Sequence, residues 1–284
     1  PCRLGALNAE TSYLLDRFGF QPPQLLQDAR MKLSEIAMDP PVSITPETTI
    51  YETMQIMQKE NLAYCGVVDA RNHVLGMVTK SDFSVVGLDD TARSIDILAH
   101  TPVENIRKTI NGSIVYDDPN VTVNGKVSII AMTYPEHLDR YEVEKRIVIV
   151  GADTMAQKKC IQLGAGMLII VWADTVDESV IEEAKKHHCP IIRSGHGTMN
   201  TSRYLYFAPS VERIMKKNPI LFHTNELAED VGVKMLRNRY RAYPVVDQNE
   251  QLFGYVSRYH IMNAPKRRLI LVDHNEFSQS VNAI

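Results

Sequence analysis

Residues 67–82 read VVDARNHVLGMVTKSD, and residues 245–260 read VVDQNEQLFGYVSRYH. The two stretches stand 178 positions apart, and the register runs outward without a gap. Ile36 matches Ile214, Pro41 matches Pro219, Met57 matches Met235, and Gly76 and Val78 match Gly254 and Val256. A unit that recurs in register is one supersecondary motif built twice, and such motifs cover each other's apolar faces. In each copy a polar tail follows an apolar run: Thr79-Lys80-Ser81-Asp82 in the first, Ser257-Arg258-Tyr259-His260 in the second. The carboxyl end of a strand is where an α/β sheet presents ligand-facing groups.

Each copy has a local reading. Pro41 to Ile44 forms a short strand, and Thr48 or Thr49 caps the helix from Ile50 to Glu60, whose apolar Ile50, Met54 and Met57 fall at i, i+4 and i+7. Ala63 to Val68 and Val74 to Val78 read as strands around the turn Asp69-Ala70-Arg71-Asn72, and a helix starts near Ser81. The order is β-α-β-β-α. The second copy repeats it with Ile220 to Phe222, Glu226 to Arg237, Ala242 to Val246 and Leu252 to Val256.

This order, with Gly76 to Thr79 and Gly254 to Ser257 closing the last strands, resembles the cystathionine-β-synthase (CBS) motif. CBS motifs come in pairs, and the resemblance implies that the pair, a Bateman module, holds an adenine nucleotide in a cleft between its two copies. The family's ribose pattern is a hydroxyl residue followed three positions later by Asp. The first copy has it as Thr79 and Asp82; the second keeps Ser257 but carries His260 where the Asp belongs, which implies one nucleotide per module. A carboxylate accepts from both ribose hydroxyls and a Thr hydroxyl bonds phosphate. Taken alone, Thr79 and Asp82 are also an ordinary helix cap. Around the second copy, Arg239, Arg241 and Arg258 are placed to meet phosphates, Tyr240 or Tyr243 to stack on a base, and Tyr259 stands in the same tail. Lys80 is the basic counterpart of Arg258 in the first copy. Against this, a run of charge is usually a solvated turn.

Roughly 120 residues separate the copies, far more than a loop spans, so residues 87–208 read as a domain of their own. Strands are expected at Gly112–Tyr116 and Val127–Met132. The run Arg146–Val150 is continuously apolar, as a buried parallel strand is, and a helix to about Leu163 follows. Then come a strand Met167–Val171, a helix Asp177–His188, a strand Pro190–Ile192 and a helix Met199–Tyr206. The alternation implies a parallel sheet with right-handed crossovers. In pattern and context the stretch resembles the DRTGG domain, with Trp172-Ala173-Asp174-Thr175 near the place of the name-giving motif. Gly151-Ala152-Asp153-Thr154 is neither GxGxxG nor a Walker loop and reads as a βα turn. Ser194-Gly195-His196-Gly197-Thr198 is a turn, and His187-His188-Cys189 a helix end rather than a ligand cluster.

Hydrophobic residues make up 44% of the 284 and charged residues 23%, as in ordinary globular chains. A net charge of −3 and a pI near 6.3 give no whole-chain case for nucleic acid or membrane. No membrane-span run or signal peptide is visible. Cys2, Cys65, Cys160 and Cys189 form no CxxC pair and read as reduced thiols of a cytoplasmic protein. The chain begins at Pro1, without Met, which reads as a fragment of something longer.

Both ends carry a second resemblance. Leu7-Asn8-Ala9-Glu10-Thr11 through Pro22-Pro23, and the strand-like Leu269 to Val272 ending in Asp273-His274-Asn275-Glu276, resemble the DHH-phosphoesterase domain of family II inorganic pyrophosphatases. The resemblance makes Asp273 a metal-bridging carboxylate in the full-length enzyme, which uses manganese, cobalt or magnesium. It divides the chain into a flanking segment (1–30), CBS motif 1 (31–86), a DRTGG-like domain (87–208), CBS motif 2 (209–264) and a resumed DHH strand (265–284). One carboxylate cannot hold the ions such hydrolysis needs, so no catalytic residue is expected in this chain alone. The fold class is α/β: an α+β CBS pair with an inserted α/β domain. The resemblance implies a regulatory region of a pyrophosphatase, inhibited by AMP or ADP and activated by a diadenosine polyphosphate, and a homodimer. Two alternatives stay open: a small metal-dependent phosphoesterase centred on Asp273 and His274, and a dimerisation scaffold without nucleotide.

Overall fold

The computed structural model describes every residue except 1, 4, 26–29, 85, 87–91, 122, 132–134, 239 and 266–284. Asp273 and its neighbours therefore lie outside the described residues, as does Arg239. The N-terminal part holds β1 (Cys2–Arg3), α1 (Ala9–Arg17) and β2 (Gln24–Leu25), with β1 and β2 parallel. Copy 1 holds β3 (Ser43–Ile44), α2 (Ile50–Lys59), β4 (Tyr64–Val68), β5 (Val74–Thr79) and α3 (Lys80–Phe83). The inserted domain runs through α4 (Ala92–Ala99), α5 (Val103–Thr109), β6 (Ser113–Tyr116), β7 (Val127–Ile130), β8 (Ile147–Val150), α6 (Thr154–Gln162), β9 (Met167–Ile170), α7 (Glu178–Lys186), β10 (Ile191–Arg193) and α8 (Thr198–Leu205). β11 (Lys216–Lys217) leads to copy 2: β12 (Phe222–His223), α9 (Ala228–Leu236), β13 (Ala242–Val246), β14 (Leu252–Ser257) and α10 (Arg258–Met262). Both copies thus have the expected order.

The chain divides into two units, Val42–Pro219 and Pro1–Pro41 with Ile220–Ile284. This division differs from the sequence repeat. The segment that precedes copy 1 is bonded to copy 2. Leu33 N donates to Glu226 O (2.9 Å) and Ala228 N to Met31 O (2.8 Å), while Asp39 and Tyr255 exchange backbone bonds at 3.0 Å. Leu33 and Ile36 are buried in the copy 2 core with Phe222, Val231, Met235 and Val245. Reciprocally, β11 pairs antiparallel with β5, and Val211 and Ile214 join the copy 1 core with Ile50, Met57 and Val78. Each small sheet has an edge the exchanged segment caps, and the conserved register cannot reveal which copy does the capping. Gly76 and Gly254 allow the close approach: a Cβ on Gly76 would stand 2.7 Å from Met215 Sδ, and one on Gly254 3.0 Å from Asp39 O.

In the inserted domain the strand order is β6-β10-β9-β8-β7. β7 through β10 are parallel, as the strand–helix alternation implied, and β8 and β9 are buried along their whole length. The expectation of an all-parallel sheet is corrected at one edge, where β6 runs antiparallel to β10. Alternate residues serve two cores. Val148, Val150, Leu168 and Ile170 face α6 and α7, while Ile147, Ile149, Met167 and Ile169 face α4, α5 and α8. The helices α4 and α5 have no counterpart in the sequence reading.

Candidate functional site

In copy 1 the chain leaves β5 at Thr79 and turns into α3. Thr79 N and Thr79 Oγ1 both donate to Asp82 Oδ2, each at 2.7 Å. The capping reading of these residues is therefore realised. It engages only one carboxylate oxygen, and Oδ1 accepts no hydrogen bond from the described residues. Lys80 N donates to Ala63 O (3.2 Å), and its exposed ammonium makes no bond among the described residues.

Copy 2 closes the same turn with different chemistry. Ser257 N and Ser257 Oγ each lie 3.0 Å from His260 Nδ1. A backbone N–H only donates, so Nδ1 accepts and the neutral ring carries its proton on Nε2. Nε2 stands 3.6 Å from Asp39 Oδ1. The Asp-to-His difference between the copies thus preserves the fold of the turn while replacing an outward acceptor by an N–H donor.

The other candidates of copy 2 are distributed differently from the sequence reading. Arg258 Nη2 donates to Met235 O (2.9 Å) and Asn238 O (2.5 Å), so its guanidinium caps the C-terminal end of α9. Tyr243 is 1% exposed and packs on Phe222 at 5.1 Å between ring centroids. It is a core ring rather than a stacking platform, because β13 is covered along its whole length. Tyr240 is half-buried and meets Tyr243 edge-on at 5.8 Å, Arg241 is exposed, and Tyr259 is exposed beside His260.

The inserted domain resolves the other turns. Asp153 caps α6 by accepting from Met155 N (2.9 Å), which makes the Gly151 stretch a βα turn. Ser194 Oγ and Thr201 Oγ1 bond at 2.7 Å across the next one. His188 does not stay a helix-end group alone. With φ +53 it reaches Asp118, its Nδ1 2.9 Å from Oδ2, and Tyr116 O–H donates to the same oxygen at 2.5 Å. Asn120 N also donates to Asp118 Oδ1 (2.8 Å). The Tyr116 hydroxyl, the Asn120 N–H and His188 hold the Asp118 carboxyl down at about 2, and the carboxylate pushes Tyr116 up to about 12. Seventy residues separate His188 from Asp118, so no local sequence signal announces the pair. Trp172 is 78% exposed at φ +60, and its indole lies on Gly197, where a Cβ would stand 2.3 Å from Cζ2. Burial raises the Cys65 and Cys189 thiols to about 12 and that of Cys160 to about 11, consistent with inert reduced cysteines. A cleft of about 460 Å³ lined by Val127, Ile129, Ser202, Arg203, Tyr206 and Phe207 contains none of the sequence-predicted residues. Among the described residues no three His, Cys, Asp or Glu side chains converge to hold a metal, and no helix is long and apolar enough to cross a membrane.

The CBS domain family matches residues 33–86 and 211–267, and the DRTGG domain family residues 105–207. The cobalt-dependent inorganic pyrophosphatase of Clostridium perfringens is 33% identical over 286 aligned positions, covering 100% of this chain and 52% of that protein. The probable manganese-dependent inorganic pyrophosphatase of Thermotoga maritima is 25% identical over 285, again with 100% and 52% covered. The chain thus spans about half the length of these relatives. A crystal structure of the CBS and DRTGG domains of the regulatory region of the Clostridium perfringens pyrophosphatase, complexed with the activator diadenosine tetraphosphate, superposes with a TM-score of 0.71 at 30% identity, covering 81% of this chain and 100% of that one. By fold, domain content and sequence, the chain belongs to the family of CBS- and DRTGG-domain regulatory regions of inorganic pyrophosphatases.

Proposed function

We propose that this region binds an adenine nucleotide through the Thr79–Asp82 turn of copy 1 and adjusts the activity of a pyrophosphatase to which it is joined. The carrying observation is the carboxylate oxygen Oδ1 of Asp82, left open beside a hydroxyl at the carboxyl end of β5 while Oδ2 holds the turn. The ligand found with the Clostridium perfringens region, a diadenosine tetraphosphate, is of this chemical class. AMP and ADP act as inhibitors and a diadenosine polyphosphate as activator by preferring different arrangements of the region. Lys80, exposed beside this turn, is the cation that copy 1 offers to a phosphate. The parent enzyme is a cytoplasmic manganese- or cobalt-dependent diphosphatase, with Asp273 among its metal ligands, and the region self-associates as a homodimer. The domains keep the order read from the sequence, while residues 31–41 pack with copy 2 and residues 209–219 with copy 1.

Calorimetry with AMP, ADP and diadenosine tetraphosphate tests the reading. Asp82→Ala is expected to weaken binding roughly ten- to a hundred-fold, the worth of a charged hydrogen bond of about 1.5–3 kcal/mol. His260→Ala is expected to matter less, because its ring offers a ribose diol no acceptor. Equal small effects would place the ribose elsewhere, and absence of any nucleotide binding would leave the scaffold alternative.

A further inference from the structure

Three strand ends of the inserted domain stand side by side. Val171 N donates to Val150 O (2.9 Å) and Ser194 N to Ile170 O (2.8 Å), so the turns that leave β8, β9 and β10 open from one edge of the parallel sheet. The turn after β9 leads to α7, which packs on one sheet face, and the turn after the neighbouring β10 leads to α8 on the opposite face. Adjacent parallel strands whose connections part in this way leave a crevice at their carboxyl ends, the place where open α/β sheets take up ligands.

Trp172, just past the end of β9, reaches across to the turn after β10, where its indole is backed by Gly197. The residue is nevertheless 78% exposed, so the ring is held in place by protein and open to water, as a stacking platform is. Beside it, at the end of β8, a Cβ on Gly151 would meet nothing within 4 Å, which leaves room next to the indole. The polar groups left open there are acceptors. Gln157 is 2% exposed, and its Nε2 donates to Gly151 O (2.8 Å), which fixes the orientation of the carboxamide. Its Oε1 accepts no hydrogen bond from the described residues. Asp174, two residues beyond Trp172, is exposed and has neither a hydrogen bond nor an ion pair among the described residues. Residues 151–157, 171–177 and 194–200, which form the three turns, hold three Asp and no Lys or Arg. An electron-rich ring face, an open amide oxygen and an unpaired carboxylate are complementary to a cation that carries N–H donors.

We propose that this edge of the inserted domain is a second ligand site, which binds a small organic cation with N–H donors, an amine or a guanidine. The cation lies on the Trp172 indole and donates to Asp174 and Gln157. The site is separate from the adenine-nucleotide turn of copy 1 and does not rest on it.

Trp172 is the only tryptophan of the chain, so the intrinsic fluorescence of the whole chain reads the site directly. Titration with spermidine and with methylguanidinium is expected to change this emission saturably. Tetramethylammonium, a cation without N–H, is expected to bind roughly ten-fold more weakly. Calorimetry with spermidine follows the variants. Trp172→Gly, which suits the backbone at φ +60, and Asp174→Asn should each weaken binding roughly ten-fold. Gly151→Val, for which the fold has room, should weaken it by filling the space beside the indole, and Asp82→Ala should leave it unchanged. Circular dichroism checks that each variant is folded. No saturable response to either amine overturns the proposal. Binding that survives both Trp172→Gly and Gly151→Val is a general attraction to surface carboxylates and overturns it as well. A response to inorganic phosphate in place of the amines gives the crevice to an anion at the start of α8, where Gly197 supplies no side-chain cap, and overturns the assigned charge. Nucleotide binding by copy 1 is read separately by the AMP titration and stands or falls without these outcomes.

Discussion

At the scale of single residues, the turns after β5 and β14 show how a site can change its chemistry under a constant fold. Asp82 and His260 both accept from the backbone N–H and hydroxyl three residues earlier. What each leaves for a ligand differs, an anionic acceptor in one case and an N–H donor in the other. The Thr79-to-Asp82 spacing was legible from the sequence because a capping box is local. The engagement of Arg258 on the end of α9 was not, because Met235 and Asn238, in and just beyond α9, stand about twenty residues away in sequence. Asp118 is the other residue with a calculable consequence. Its folded carboxyl sits at about 2, below the usual range near 3.9 for an unfolded Asp. A depressed folded value means that the ionised form favours the native state. The stability it contributes is present above about pH 4 and is lost as pH falls toward 2. Asp118→Asn should therefore flatten the acid loss of stability in that window, measured as urea midpoint against pH, while lowering stability at pH 7.

At the scale of elements, the helix α2 was read correctly to within a residue at each end, and its cap explains why. Thr49 N donates to Glu52 Oε2 and Glu52 N to Thr49 Oγ1, both at 3.0 Å. The matching position in copy 2 is Leu227, which has no side-chain cap, and there the helix was expected to begin two residues early. Thr49→Ala should cost about 1 kcal/mol of stability, seen as a lower denaturant midpoint with unchanged slope, whereas Leu227→Ala removes no cap. The helices α4 and α5 escaped the reading for a related reason. Ser94 and Thr109 are buried polar residues within their apolar stripes, and they break the period that betrays an amphipathic helix. The buried strands β8 and β9 had no such interruption. Only pairing could assign β6 its antiparallel direction, since a strand's own residues do not record which way its neighbour runs.

At the scale of the whole molecule, the exchange of leading segments makes each copy depend on chain far from it in sequence. Deleting residues 1–41 removes Leu33 and Ile36 from the copy 2 core and the Asp39 backbone bonds from Tyr255. Copy 1 keeps β11 and its own core residues Val211 and Ile214. Hydrogen exchange on such a truncated chain should rise in β13 and β14 and remain slow in β4 and β5; the opposite pattern would mean that each segment serves its own copy.

The sequence by itself determined the duplicated β-α-β-β-α unit, the inserted α/β domain and the hydroxyl–carboxylate spacing of copy 1. All three are written in local periodicity, turn residues and register. Tertiary structure alone decided which segment caps which sheet, that Tyr243 lies in the core, that Arg258 closes a helix, and that His188 reaches Asp118. These depend on pairs of residues tens to hundreds of positions apart, and the free energy that selects them comes from burial and backbone pairing between elements. No window of sequence contains both partners, so only the folded chain brings them together.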